Sequence, residues 1–367
     1  MYRIRPYTAA DRPAWNDFIR RSRNGVFLFQ REYMDYHADR FEDASVIVES
    51  AQGTPRIVAV LPANRRHAPD GDHCVTHGGL TFGGLVMDEK LGGAQVLAVM
   101  EQLAAWLAGR NFVQLHYKAT PHLYHRLPSE DDLYALHRLG AHTTQVLLSS
   151  TLDLQRQAPT SSQKNHALNL AKRAGIDVGR CRWADYWPLL NQTLQSRHGV
   201  GPVHTLAEIE RLAGAFTQLE VLGAWQRPSD GAPANQGHDP HATADVAALP
   251  VKPESCSLHA GIVLYHYTGV THTQYLASAP EGFETRAQHA ILELAIEAAR
   301  VPRPALVQFR YLHHRGGRRP ERGPAAPQGD VRRTQHHPSD PGAGSALNNA
   351  PGPYSTTPPF THKPKRT

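Results

Sequence analysis

The sequence predicts an α/β protein of two tandem domains, with mixed sheets flanked by helices, followed by a disordered C-terminal tail. Three observations carry this prediction. Strand-like and helix-like hydrophobic patterns alternate as far as residue 312. The same order of strand, loop, helix and strand occurs twice, at an offset of about 192 to 195 residues. From residue 313 onwards Arg, Pro, Gly and Ala dominate the composition, and the hydrophobic periodicity stops.

The first half, residues 1–154, contains one helix that is especially clear. At 94–108, Val96, Met100, Leu103 and Leu107 recur at helical spacing. Residues 73–87 before it are extended and glycine-rich. Strands are predicted at 2–7, 45–49, 56–61, 112–117 and 146–154, and further helices at 11–21, 31–41 and 129–138. We expect the strand at 146–154 to close this half.

The second half, residues 155–312, contains a predicted hairpin and a predicted insertion. Thr268-Gly269 joins two strand patterns closely enough for a hairpin. Residues 227–257 are polar and rich in Pro, Gly and Ala, which indicates a flexible insertion. Strands are predicted at 176–180, 219–225, 258–267, 270–278 and 305–311, and helices at 163–174, 186–197, 206–216 and 286–300.

Charge and cysteine content limit the function classes. Of the 39 basic residues nine lie in 313–367, where only three of the 33 acidic residues lie, so the rest of the chain is neutral. The folded part therefore gives no support for general attraction to nucleic acid or to a membrane. Three widely spaced cysteines favour a reduced, cytoplasmic protein. We expect no membrane span, because no long uncharged apolar run occurs.

Several common catalytic motifs are missing from the sequence. It contains no G-x-S-x-G, no G-x-x-x-x-G-K-[ST], no G-x-G-x-x-G and no H-E-x-x-H. This argues against α/β-hydrolases, P-loop proteins and simple nicotinamide enzymes. The 23 histidines are scattered rather than set at ligand spacing, so we predict no metal site.

Each repeat carries a strand towards the beginning of an amphipathic helix. The N–H groups and the positive dipole end at such a helix start suit a pyrophosphate. Gly83 and Gly84 precede the first helix, Gly92 and Gly93 begin it, and Arg286 begins the second. Glycines let the backbone approach a ligand closely, although a β-bulge with a tight turn would use the same residues. These five residues are candidate cofactor-binding residues.

Two further candidate ligand-binding residues, Lys118 and Tyr124, follow a strand end in the first half, where ligand loops are common. Lys118 is suited to a phosphate or a carboxylate.

Several segments resemble a bacterial family of GNAT-type acyltransferases related to the FemAB peptidyltransferases. They read NGVFLFQ at 24–30, HGGLTFGG at 77–84, YKATPHLYHRLP at 117–128, DDLYAL at 131–136, PVH at 202–204 and HTQYLAS at 272–278. The resemblance covers residues 1–311. It implies a tandem GNAT fold and transfer of an acyl or aminoacyl group to an amine. The implied acceptor is a small molecule or a cell-envelope precursor.

The donor that the resemblance implies is an acyl-CoA, such as acetyl-CoA, or an aminoacyl-tRNA. The GNAT signature Arg/Gln-x-x-Gly-x-Gly/Ala occurs in neither half, so the sequence leaves the donor open.

Direct attack by an amine needs a group that accepts its proton and donors for the carbonyl oxygen. His272, Tyr275 and His204 are the candidate catalytic residues of the second half. Strand alternation predicts that His272 and Gln274 share one face and that Tyr275 takes the other.

Two other functions stay open. Arginines of the tail would let it bind nucleic acid; they are Arg315, Arg318, Arg319, Arg322, Arg332 and Arg333. Alternatively, the chain keeps the fold and binds a partner without catalysis.

The sequence of the tail also indicates translation in a shifted reading frame. Members of the resembling family continue here with a DISTTE-like segment and an LNEGLL…KEMFG-like helix. If the last two bases of each codon are joined to the first base of the next codon, the genetic code permits DISTTE from Arg310. From Pro320 it permits LNEGLL, two further residues and then KEMF. We therefore predict a frameshift near Arg310. The alternative is a natural disordered tail, and resequencing this region decides between the two.

Overall fold

The computed structural model describes residues 2–156, 161–227, 249–300 and 306–310, the last as backbone only. The tail at 313–367, with the expected change of frame, lies outside the described residues, as does 228–248. Among the described helices none is long and apolar enough to cross a membrane.

Two small sheets form the first half. Strands β1 (Tyr2–Pro6), β2 (Val46–Ser50), β3 (Ile57–Leu61) and β6 (Val86–Met87) form an antiparallel sheet in that order. Strands β4 (Asn64–Ala68), β5 (Gly71–Val75) and β7 (Phe112–His116) form the other, with β5 and β7 parallel. The helices are α1 (Arg12–Arg21), α2 (Arg31–Met34), α3 (Gly93–Ala108) and α4 (Asp131–Arg138).

A six-stranded sheet organises the second half. Its order is β8 (Ser149–Asp153), β13 (Leu306–Arg310), β12 (Val270–Ser278), β11 (Leu258–Tyr267), β10 (Leu219–Gln226) and β9 (Ile176–Arg180). The helices are α5 (Ser162–Arg173), α6 (Trp183–His198), α7 (Leu206–Ala215), α8 (Pro280–Glu284) and α9 (Ala287–Arg300). The fold class predicted from the sequence is therefore confirmed.

The internal repeat is a real structural repeat. In each half a strand, a helix and a parallel strand follow one another, as β5–α3–β7 and as β12–α9–β13. The helices begin at residues 93 and 287, and the last strands at 112 and 306. In open α/β sheets, ligands bind beyond the carboxyl ends of parallel strands, so each half has one place of this kind.

Strand β8 does not close the first half, which corrects our expectation. It pairs antiparallel with β13, from Ser149 opposite Arg310 to Asp153 opposite Leu306. Leu154, just after β8, is buried with Ala299 of α9. The apolar pattern of a strand is local, whereas its partner is chosen by distant backbone and apolar groups, so the sequence indicated the strand but not its sheet.

The predicted helix at 31–41 is shorter than expected. It ends at Met34 and continues as a single 3-10 turn, Asp35–His37. The imidazole Nδ1 of His37 lies 2.6 Å from the Met34 carbonyl oxygen. A side chain that bonds a nearby carbonyl competes with the helix for that acceptor. The sequence also does not predict strand β4, because Pro62 interrupts the strand pattern just before it and its residues are mostly polar.

The last part of the predicted insertion packs against the body. Leu249 and Lys252 are buried. The Arg180 amide donates to the Pro250 carbonyl, and the Lys252 amide donates to the Arg180 carbonyl, both at 2.8 Å. The flexible stretch expected at 227–257 therefore does not include 249–257.

Aromatic residues join the two halves. Phe27 of the first half stacks on Tyr267 of β11, with ring centroids 5.1 Å apart, and packs edge-on against Tyr265. The hydroxyls of Tyr33 and Tyr265 are 3.1 Å apart. One buried hydrophobic cluster thus contains residues of both halves.

Candidate active site

His272 and Tyr124 meet at the junction of the two halves. Tyr124 ends a 3-10 turn, His122–Tyr124, that follows β7 in the first half. Its hydroxyl lies 2.8 Å from Nδ1 of His272 on β12. Both side chains are almost fully buried, at 2% and 1% exposure. Phe82 and Tyr267 pack on the Tyr124 ring. Two residues predicted separately from the two halves are therefore in contact.

His204 and Tyr275 form a second imidazole–phenol pair. Nδ1 of His204 lies 3.2 Å from the Tyr275 hydroxyl. The Trp187 indole N–H donates to the His204 carbonyl at 3.1 Å, which fixes the backbone at that point. Both members of the pair are 4% exposed.

A β-bulge brings the two pairs to one face of β12. Val263 of β11 lies opposite Tyr275, and Leu264 lies opposite Thr273, so Gln274 is the extra residue. An extra residue shifts the alternation of side chains beyond it. Tyr275 consequently joins the buried cluster between the halves, on the side of His272. Our expectation that these two residues take opposite faces was wrong for this reason.

Four rings form a stack across the junction, which we call the ring stack: His204, Tyr36, His37 and His77. Neighbouring centroids are 5.2 Å, 4.1 Å and 5.0 Å apart, and the interplanar angles are 23°, 18° and 20°. His77 follows the end of β5, whereas His272 lies within β12. Of these four rings, only His204 is a candidate from the sequence. The helical spacing of Tyr33, Tyr36 and His37 is a signal that could have indicated two of the others.

Burial keeps the imidazoles of the ring stack neutral. It lowers the pKa of His204 to about 4, lowers the pKa of His37, and lowers that of His77 well below its usual value. Burial also raises the pKa of the Tyr33 and Tyr265 phenols. At neutral pH the junction therefore contains neutral imidazoles, each with one nitrogen that can accept a hydrogen bond, and protonated phenols, which can donate one.

Gly83 and Gly84 are closely surrounded by other residues of the first half. The Gly83 amide donates to the Lys118 carbonyl at 2.7 Å, and a Cβ on Gly83 would overlap the Thr76 carbonyl. Gly84 has a φ of +100°, and a Cβ there would press on the Tyr117 ring. The ammonium group of Lys118 donates to the Leu80 carbonyl. Packing within the first half therefore accounts for these two glycines.

The other candidate cofactor-binding residues, Gly92, Gly93 and Arg286, lie at the helix starts. A polar cavity of about 370 Å³, lined in part by Arg56, Asp88 and Lys90, adjoins the start of α3. The Gly93 amide there faces a carboxylate oxygen of Asp131 at 3.3 Å. Arg286 immediately precedes α9, is exposed, and has a φ of +62°. The first turn of α9 contains no acidic residue.

Among the described residues no group of His, Cys, Asp and Glu is arranged to hold a metal ion. The three cysteines, all described, form no disulfide.

Comparison with known proteins shows similarity in fold but not in sequence. No family model matches the chain, and no curated protein matches it. The structure of FemX superposes with a TM-score of 0.57 and 12% identity, over 84% of this chain and 88% of that one.

Two other solved structures are weaker matches. L-PGS from Bacillus licheniformis has a TM-score of 0.45 and 11% identity, over 83% of this chain and 78% of that one. A tandem GNAT protein from the clavulanic acid biosynthesis pathway has a TM-score of 0.43 and 12% identity, over 85% and 90%. The fold assignment rests on FemX. The chain thus has the fold of FemX.

Proposed function

We propose that the chain is an N-acyltransferase that moves an acyl or aminoacyl group from a thioester or ester donor to an amine. The observation that carries this proposal is the pairing of His272 with Tyr124 and of His204 with Tyr275 on one face of β12. A buried set of imidazoles and phenols supplies the proton acceptor and the hydrogen-bond donors that acyl transfer needs.

The chemistry assigns one role to each group. The amine nitrogen attacks the carbonyl carbon, a C–N bond forms, and the C–S or C–O bond to the donor breaks. His272 accepts the proton that the amine loses, and this proton then passes to the leaving thiolate or alkoxide. Tyr275 donates a hydrogen bond to the carbonyl oxygen as its negative charge develops. Tyr124 and His204 orient His272 and Tyr275 respectively.

The start of α9 is the better place for an acyl-CoA pyrophosphate. At the start of α3 the Asp131 carboxylate already faces the Gly93 amide and would repel an anion, although Arg56 and Lys90 lie near. At α9 an exposed Arg286 precedes a first turn without acidic residues. Both the charge and the helix dipole therefore favour an anion there. An acyl-CoA would supply the activated thioester.

Three classes of acceptor fit this chemistry: an amino sugar, a peptidyl amine and a small metabolite. A cell-envelope precursor that carries an amine belongs to the first two classes. An aminoacyl-tRNA in place of acyl-CoA would make the product an amide of an amino acid.

The test is transfer of label from acetyl-CoA or aminoacyl-tRNA to a panel of these amines by the full chain. His272→Gln and Tyr124→Phe should each lower kcat/KM by about 10²-fold or more. Tyr134→Phe is the matched control, because that phenol is half exposed on α4 and bonds only Arg138 among the contacts described.

Three results would contradict the proposal. One is full activity of His272→Gln. The second is thermal stabilisation by a donor with no transfer to any amine, which would indicate a binding protein. The third is salt-sensitive binding of nucleic acid that is lost with residues 313–367, in the absence of transfer.

A further inference from the structure

The loop between α6 and α7 contains a single buried residue. Gly199, at the end of α6, has a left-handed φ of +65°, and Val203 is 52% exposed. His204 in the same loop is 4% exposed and lies between Tyr36 and Tyr275. The loop therefore covers the junction and sends a single side chain into the site.

Arg40 of the first half attaches this loop. Its Nη1 donates to the Val203 carbonyl at 3.2 Å, and its Nη2 donates to the Glu208 carboxylate at 2.7 Å. Its guanidinium also lies over the Tyr36 ring, 5.6 Å from the centroid. Arg40 thus contacts the chain on both sides of His204 and also the ring on which His204 stacks.

The two candidate catalytic pairs are buried, so substrate must enter through a part of the junction that moves. The loop has two glycines and lies outside every helix and strand, with its buried residue held by hydrogen bonds to Trp187 and Tyr275, whereas β12 lies within a six-stranded sheet. Building on the proposed acyl transfer, we propose that residues 199–205 open to admit the amine, and that Arg40 is a positioning residue that closes them so that His204 meets Tyr275.

The test measures the reaction of His204 with diethyl pyrocarbonate in the full chain without substrates, followed by peptide mass spectrometry. Arg40→Met keeps the aliphatic stem but removes both hydrogen bonds, so it should raise the modification rate of His204 roughly tenfold. Arg40→Lys should restore part of the protection. His125, buried elsewhere in the first half, should react at an unchanged rate.

Arg12→Met is the matched control variant. Arg12 makes an ion pair with Asp35 at 2.7 Å, and both members of this pair lie in the first half. Asp35 is close to Arg40 along the chain. Arg12→Met should leave the His204 rate unchanged. The proposal is overturned if Arg40→Met leaves that rate unchanged, or if it accelerates His204 and His125 equally, since the latter result indicates general loosening.

A kinetic measurement separates positioning from folding. Arg40→Met should lower kcat several-fold and leave the KM of the donor unchanged, and Arg40→Lys should recover more than half of kcat. A change in donor KM alone contradicts the assignment. If the wild-type chain transfers no acyl group, the proposed function fails, and the modification experiment still decides how the loop is held.

Discussion

Gly83 and Gly92 are both candidate ligand glycines, but their surroundings differ. A Cβ at Gly83 would overlap the Thr76 carbonyl, whereas a Cβ at Gly92 would meet open space. Gly83→Ala should therefore lower the free energy of unfolding by about 2–3 kcal/mol or more, whereas Gly92→Ala should lower it by no more than about 1 kcal/mol, because alanine is only a poorer N-cap residue there. Urea unfolding measures both. Equal costs would show that the Gly83 backbone shifts freely.

Arg286 and Lys90 distinguish the two helix starts as donor sites. If the donor phosphates bind at α9, Arg286→Ala should raise the KM for acyl-CoA roughly tenfold with little change in kcat, since one charge-assisted hydrogen bond is lost. Lys90→Ala, beside α3, should have little effect. The reverse pattern would move the donor to the cavity near Gly92.

The segment 249–257 packs against the core of the second half. Leu249 is 5% exposed and belongs to the core cluster that contains Leu222 and Ile262, whereas Val251 is 57% exposed. Leu249→Ala should cost about 2–4 kcal/mol of stability, and Val251→Ala less than about 0.5 kcal/mol. Calorimetric melting compares them. If the Leu249 variant melts like wild type, this segment does not stabilise the second half.

The whole molecule should lose stability in acid through its buried histidines. Burial lowers the pKa of His204 and of His125 to about 4, and an unfolded histidine has a pKa of about 6.5. The unfolded chain therefore binds more protons in this interval, so stability falls as the pH drops from about 6.5 towards 4. Each such histidine contributes a slope of up to about 1.4 kcal/mol per pH unit.

One buried carboxyl acts in the opposite direction. Burial raises the pKa of Asp132, which accepts a 2.5 Å hydrogen bond from Tyr117, to about 6. The stability that Asp132 contributes falls as the pH rises from about 4 to 6. Over this range it cancels the opposite effect of one buried histidine. The urea concentration at the midpoint of unfolding should therefore decrease from pH 7.5 to pH 6 and again from pH 6 to pH 5. His125→Gln removes one group that binds a proton on unfolding, so it should make this decrease smaller. A midpoint that does not fall over this range contradicts the prediction.

The sequence by itself determined the local elements and their repeat. The strands at 258–267 and 270–278 match the structure to the residue, because β-branched and aromatic runs flank a two-residue turn whose second residue, Gly269, has a φ of +83°. Amphipathic spacing likewise placed α3 and α9 within one residue. Such signals lie within the segment itself, so no distant residue is needed to read them.

Tertiary structure alone decided which elements meet. The bulge at Gln274, the pairing of β8 with β13 and the contact of Tyr124 with His272 depend on residues far apart in sequence. The candidate residues His272, Tyr275, His204 and Tyr124 were found from the sequence, but their pairing was not. Arg40 and the other rings of the ring stack, Tyr36, His37 and His77, were not identified as functional candidates, because an arginine or a buried ring acquires its role only from the distant groups that it contacts.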